Sequence, residues 1–252
     1  MEFTRIGHKG ADALVPGNTI ASFQKAVEVG VDLIEFDVLW LEDGRPESPP
    51  ERRSPLVVAH DWHAAAANPR LTLDDALAAF TREPLDRVAI NLDVKLPGRE
   101  DELVEAVYRH GLLERTSVST MELSTVRRVG ELEPAMGRGW TVPRVTRDWT
   151  AKPWLKPVVL AGVAAMRRRL PSDVSRNLPD LGVESVWAFQ GVVTPRLIEA
   201  TSAAGVALNV WTVDSAEGIA RFQEMGVSGV CSNDPRLLQP VPSPGPSQAT
   251  ST

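Results

Sequence analysis

A single cysteine, Cys231, occurs in the 252 residues, which excludes an intrachain disulfide and a thiolate-rich metal centre. Metal ligands, if the chain has any, are therefore oxygen or nitrogen. Positive charge is also short: 27 Lys and Arg stand against 33 Asp and Glu, a formal charge of −6. That balance offers little to a phosphate backbone, so nucleic acid is not an expected partner. No run approaches the roughly 18 apolar residues of a membrane-spanning helix. The opening MEFTRIGHKGAD has no basic start followed by an apolar secretion segment, so a cytoplasmic location is the default. What is present, 43% hydrophobic and 24% charged residues, suits one ordinary globular domain.

Short β-branched runs alternate with longer amphipathic ones. Strands are expected near Thr4 to Gly7, Leu33 to Val38, Val88 to Leu92, Ser117 to Thr120, Met136 to Trp140, Ser185 to Ala188, Ala207 to Trp211 and Ser228 to Cys231. Helices are expected at Ile20 to Val29, Leu73 to Phe80, Asp101 to Arg109, Leu123 to Leu132, Val158 to Leu170, Pro195 to Ala204 and Ala216 to Met225. Such alternation argues for a mainly parallel α/β sheet, doubly wound or closed, and eight strands favour a (β/α)8 barrel. Asn18 or Thr19 can cap the first helix and Gly30 can stop it, Thr72 can cap the second, and Pro195 fits a first turn. A single domain over 1–239 is expected, carrying a polar exposed loop at 42–55, EDGRPESPPERRSP. The Pro- and Ser-rich stretch at 240–252 reads as a disordered tail. Neither charge nor cysteine content points to an oligomer, and a monomer is the default.

Chemistry concentrates in a few places. Glu35 and Asp37 sit two apart in LIEFDVLW, so strand alternation puts both carboxylates on one face. Two neighbouring acids need a cation, a shared proton or water, and a hard divalent metal meets that need. Asp93 and Lys95 share a face in the same way in AINLDVKLPG. Of four histidines, His8 and His60 each end an apolar run where the chain leaves a sheet, a placement that suits a general base and a general acid. His110 reads as a surface residue at a helix end and His63 as a loop residue.

The ordered segments IGHKG, PGNTIASFQKAVEVGVDLIEFDVLWLEDG, VVAHD, LDVK, VALNVWTVDS and MGVSGVCSNDP resemble the glycerophosphodiester phosphodiesterase family, and the resemblance runs from Ile6 to Leu238. It implies a (β/α)8 barrel and metal-dependent hydrolysis of glycerophosphodiesters to glycerol 3-phosphate and an alcohol. By the same resemblance His8 and His60 are the acid–base pair, and Glu35, Asp37 and Asp93 hold one divalent ion, Mg2+ or Ca2+. Lys95 is a phosphate-contacting cation, with Lys9 beside it, and Trp211 walls the substrate pocket. Asn233 and Asp234 fall in a closing turn with structural hydrogen bonds. Trp140, Trp149 and Trp154 either pack ordinarily, the stronger reading, or rim a site for a lipid-derived alcohol. Three departures stand out: Lys9 replaces the usual arginine, Asp93 the usual glutamate, and Gly17 the glutamate of the proline–glutamate–asparagine–threonine signature. They leave two alternatives beside the leading reaction. One is a related phospholipid-cleaving or cyclic-phosphate-forming barrel enzyme, the other a catalytically weak protein that binds a phosphate ligand.

Overall fold

The computed structural model describes residues 3–67, 71–144 and 156–239; the 240–252 stretch lies outside them. Its strands are β1 (Thr4–His8), β2 (Leu33–Leu39), β3 (Val57–Val58), β4 (Ala89–Val94), β5 (Thr116–Thr120), β6 (Gly137–Val142), β7 (Ser185–Phe189), β8 (Ala207–Trp211) and β9 (Gly229–Ser232). Its helices are α1 (Ile20–Val29), α2 (Trp62–Ala67), α3 (Leu73–Phe80), α4 (Glu100–Arg109), α5 (Leu123–Leu132), α6 (Lys156–Leu181), α7 (Pro195–Ala203) and α8 (Ala216–Glu224). Eight strands run parallel in the order β1-β9-β8-β7-β6-β5-β4-β2, and β2 pairs back onto β1. That last pairing, Ile6 with Leu33 and His8 with Glu35, closes a (β/α)8 barrel and excludes the doubly wound sheet. The short β3 lies antiparallel to the far end of β2, outside the closed ring. No helix among the described residues is long and apolar enough to cross a membrane.

Alternation on each strand decides what the barrel encloses. Ile34, Phe36 and Val38 of β2 point outward into a core with Phe23 of α1 and Phe80 of α3; the rings of Phe23, Phe36 and Phe80 meet at centroid distances of 4.9, 5.4 and 5.7 Å, Phe36 and Phe80 stacked and Phe23 tilted against both. Burying such aromatic groups is worth on the order of 2–3 kcal/mol each, so this face fixes the register. The opposite face of β2 then turns Leu33, Glu35 and Asp37 inward, level with Ala89, Asn91 and Asp93 of β4. A second apolar cluster joins Val186, Val210 and Val230 of the far strands to α6, α7 and α8. Inside the barrel Trp187 needs a missing side chain next door: a Cβ on Gly139 would lie 2.6 Å from its Nε1.

Helix signals act as the sequence leads one to expect, with one exception. Thr19 rather than Asn18 caps α1 by accepting from the Ser22 amide, and Gly30 ends that helix at φ +97°. Thr72 and Thr194 cap α3 and α7. The helix expected to end at Leu170 instead continues through Pro171 and Pro179 to Leu181. Its inner residues Leu170, Val174, Leu178 and Leu181 keep helical spacing and stay in the second cluster, and this burial outweighs the cost of the prolines. The 42–55 loop is mostly exposed but contains two 3-10 turns. Buried Arg99 pins it by donating to the Gly44 and Ser54 carbonyls at 3.0 and 2.8 Å, while both Arg99 and Arg53 reach Glu102 of α4.

Candidate active site

At the C-terminal ends of the strands, His8, Glu35, His60, Asp93, Lys95 and Trp211 line one cavity of about 150 Å3. Glu35, Asp37 and Asp93 are all buried, and one oxygen from each falls within 4.8 Å of the others. The Lys95 ammonium sits against this cluster, 2.6 Å from Asp37 Oδ1 and in short contact with Asp93 Oδ2. Burial opposes ionisation of Asp37, yet Lys95, with His60 and Lys9 behind it, outweighs that and holds its carboxyl below the usual carboxylate range. Glu35 goes the other way: burial first, then the charges of Asp37 and Asp93, push its carboxyl well above that range. The Lys95 ammonium also resists burial, but Asp37, Asp93 and Glu35 keep it charged well beyond neutral pH. Among the described residues three acids thus share one ammonium, and Asp37 Oδ1 has no aligned hydrogen-bond donor. This oxygen-rich, under-neutralised cluster fits a hard divalent cation.

Asn18 and Asn233 hold the cluster's edges. Asn18, at φ +58°, donates from Nδ2 to Asp37 Oδ2 at 2.8 Å and accepts from the Asp37 amide at 3.1 Å. Asn233 donates from its Nδ2 to Asp214 Oδ2 at 2.7 Å. A carboxylate only accepts, so the Asn233 amide is fixed with Oδ1 toward His8 Nδ1, at 2.6 Å. His8 therefore carries its proton on Nδ1 and, when neutral, presents the Nε2 lone pair to the cavity, 3.9 Å from Glu35 Oε2. Burial pulls the His8 pKa down, against the opposing pull of Asn233. His60 is different: exposed on the loop after β3, its Nδ1 faces Asp61 Oδ2 at 3.3 Å.

Other expected residues fall around this centre or away from it. The Lys9 amide donates to Glu35 Oε2 at 3.1 Å, whereas its ammonium turns to Asp12, 3.7 Å away, and lines a neighbouring cavity. Trp211 packs on Phe189 at 5.6 Å, and its buried Nε1–H has no partner among the described residues. Thr141 Oγ1 is another buried group without a partner among the described residues, and Thr141 lines the active-site cavity. His63 is exposed on α2, and His110, at the end of α4, is only partly exposed and pairs with Asp74 at 3.0 Å. Trp140 packs against the second apolar cluster; Trp149 and Trp154 lie outside the described residues. Sequence reasoning passed over Asn18, Thr141 and Trp187 as site residues and favoured a structural role for Asn233 over a catalytic one. The inward alternation of β6 and β7 was the available signal for Thr141 and Trp187. No pattern marks the two amides, whose importance lies in what they touch.

Comparison with known proteins places this geometry in context. The profile of the "Glycerophosphoryl diester phosphodiesterase family" matches residues 8–88 and 72–237. A "Glycerophosphodiester phosphodiesterase" of Caldanaerobacter subterraneus subsp. tengcongensis is 25% identical, over 92% of this chain and 95% of that one. A "Probable glycerophosphodiester phosphodiesterase 1" of Mycobacterium tuberculosis is 26% identical, over 91% and 89% of the two chains. Among solved structures, a putative glycerophosphoryl diester phosphodiesterase from Silicibacter pomeroyi shares the fold with a TM-score of 0.71 at 17% identity, covering 94% of this chain and 92% of that one. An Oleispira antarctica phosphodiesterase, solved with the product sn-glycerol-3-phosphate, has a TM-score of 0.66 at 18% identity over 92% and 93%.

Proposed function

The chain belongs to the glycerophosphoryl diester phosphodiesterase family, and we propose that it hydrolyses glycerophosphodiesters to glycerol 3-phosphate and an alcohol through the cavity at the barrel mouth. The observation that carries this reading is the meeting, in one cavity, of two histidines with Glu35, Asp93 and the Lys95 ammonium, which cluster with the fully buried Asp37 behind them. A phosphodiester is an anion, and the cluster alone has too little positive charge to hold one. Glu35, Asp37 and Asp93 would hold Mg2+ or Ca2+, which when bound supplies positive charge beside the phosphoryl oxygens. Asn18 keeps Asp37 in place from both sides, and the Lys95 ammonium adds the lysine's own charge as negative charge grows on phosphorus.

Proton transfer divides between the two histidines. His8, its tautomer set by Asn233, offers the Nε2 lone pair to the attacking hydroxyl. His60, its Nδ1 turned toward Asp61, returns a proton to the departing alcohol. The attacking oxygen is water or the adjacent glycerol hydroxyl, the latter giving a cyclic phosphate that is then opened. Thr141 Oγ1 and Trp211 Nε1, buried and unpartnered, offer hydrogen bonds to the glycerol hydroxyls.

Phosphorus NMR of the protein with glycerophosphocholine, in magnesium, calcium or chelator, tests the reading. Metal-dependent appearance of glycerol 3-phosphate is the expected result. A cyclic phosphate accumulating as end product would replace hydrolysis with the ring-forming reaction, and saturable binding without turnover would leave only a ligand-binding protein.

A further inference from the structure

Beyond His60 lies a second cavity of about 400 Å3, more than twice the volume of the one at the barrel mouth. His60 lines both. Apolar groups make up most of the second wall: Ile20, Val58, Ala59, Ala64, Ala65 and Leu71. Lys9, Asp12 and His60 form its more exposed edge, with side-chain exposures of 21%, 33% and 55%. Gly17 shapes that edge. A Cβ there would lie 2.5 Å from Asp12 Oδ1 and 2.7 Å from Lys9 Cβ, so the absent side chain is what lets Asp12 fold back and accept from the Gly17 amide at 2.7 Å. Asp12 then faces the Lys9 ammonium, and the edge carries a self-neutralised pair rather than a free charge.

We propose that this cavity seats the alcohol of the substrate and that the alcohol it takes is uncharged, apolar and several carbons long; the proposal rests on the hydrolase reading above. The position follows from His60, which stands between the phosphate cavity and this one and returns the proton to the leaving oxygen. The chemistry follows from the wall. Glycerol hydroxyls find unpartnered groups at Thr141 and Trp211 in the smaller cavity and an apolar wall in the larger. A cationic alcohol meets a carboxylate already matched by Lys9. An alkyl chain covers the apolar wall and gains affinity with each methylene.

The test uses glycerophosphodiesters of methanol, butanol, hexanol and choline, with binding of free butanol and hexanol by calorimetry as a readout independent of turnover. We expect kcat/KM to rise roughly threefold per added methylene up to hexyl, the hexyl ester to exceed the choline ester, and hexanol to bind roughly tenfold more tightly than butanol. Ala64→Phe, or the milder Ala64→Leu should Phe impair folding, fills the cavity and flattens both series. Turnover with no chain-length dependence, or with choline preferred, overturns the apolar subsite and leaves the hydrolase reading intact. Chain-length-dependent alcohol binding that Ala64→Phe abolishes, with every diester inert, supports the subsite and overturns the hydrolase reading. Absence of both signals overturns both.

Discussion

Strands β1, β2 and β4 deliver His8, Glu35, Asp37 and Asp93 to the barrel mouth, whereas β6, β7 and β8 deliver Thr141, Trp187 and Trp211, none of which ionises near neutral pH. One wall carries the ionisable groups, the other supplies shape and a few neutral hydrogen-bonding groups. The charged wall is held by polar clamps from outside its own strands, such as Asn18 on Asp37 and Asn233 on His8. The neutral wall is set by packing, as Trp187 against Gly139 and Trp211 against Phe189 show. On the proposed function, chemistry on the first wall depends on hydrogen bonds that single substitutions remove, and recognition on the second depends on volume.

That contrast predicts a graded set of losses. Asp37→Asn strikes the centre of the charged wall and should lower kcat/KM by roughly a thousandfold with circular dichroism unchanged; an activity within tenfold of wild type would remove Asp37 from the site. Asn233→Ala leaves His8 in place but frees its ring and tautomer. A loss of roughly ten- to a hundredfold, mostly in kcat, is expected by analogy with residues that orient metal-bound histidines; Asn233→Asp, which keeps an acceptor for Nδ1–H, should recover part of it. On the neutral wall, Thr141→Val removes one hydrogen-bonding group while keeping the shape, and KM should rise by about three- to tenfold with kcat nearly unchanged.

The smallest effect belongs to the loop outside the charged wall, where Glu102 pairs with Arg99 and Arg53. Arg99 holds the Glu102 carboxyl below the usual carboxylate range. A depressed folded-state pKa stabilises the protein above the unfolded value, about 4.3, and the benefit disappears as pH falls through the lower folded value. Wild type should therefore melt above Glu102→Gln at pH 7, with the difference shrinking as pH falls below the unfolded value; a constant difference as pH falls would assign the effect to packing.

Most of the barrel is legible in the sequence because one physical rule sets it. Each strand must bury an outward apolar face, so Ile34, Phe36 and Val38 announce β2 and place Glu35 and Asp37 opposite them. Caps work the same way at Thr19, Thr72 and Gly30, where local hydrogen bonding or a positive φ decides the element's end. The second half of α6 is hidden because Pro171 and Pro179 are local stop signals, and only the distant packing of Val174 and Leu178 overrides them. The spacing of the acids along β2 and β4 and the shared face of Asp93 and Lys95 were readable, but the contact of the Lys95 ammonium with Asp37 was not, since a flexible four-carbon arm goes where charge draws it. Asn18, Asn233 and Asp12 were hidden for a related reason: each matters through a partner far away in sequence or through a neighbour's missing side chain.

The hydrogen bond between His8 and Asn233 joins residues 225 positions apart. It ties the end of the first strand to the turn after the last, so the histidine gains its orientation only when the final strand has docked and the ring has closed. Contacts of such long sequence separation form late on topological grounds. During synthesis or refolding, then, a chain can hold much of its secondary structure while its first histidine still rotates freely. Recovery of turnover should lag recovery of helical signal, making catalysis itself the clock for closure of the ring.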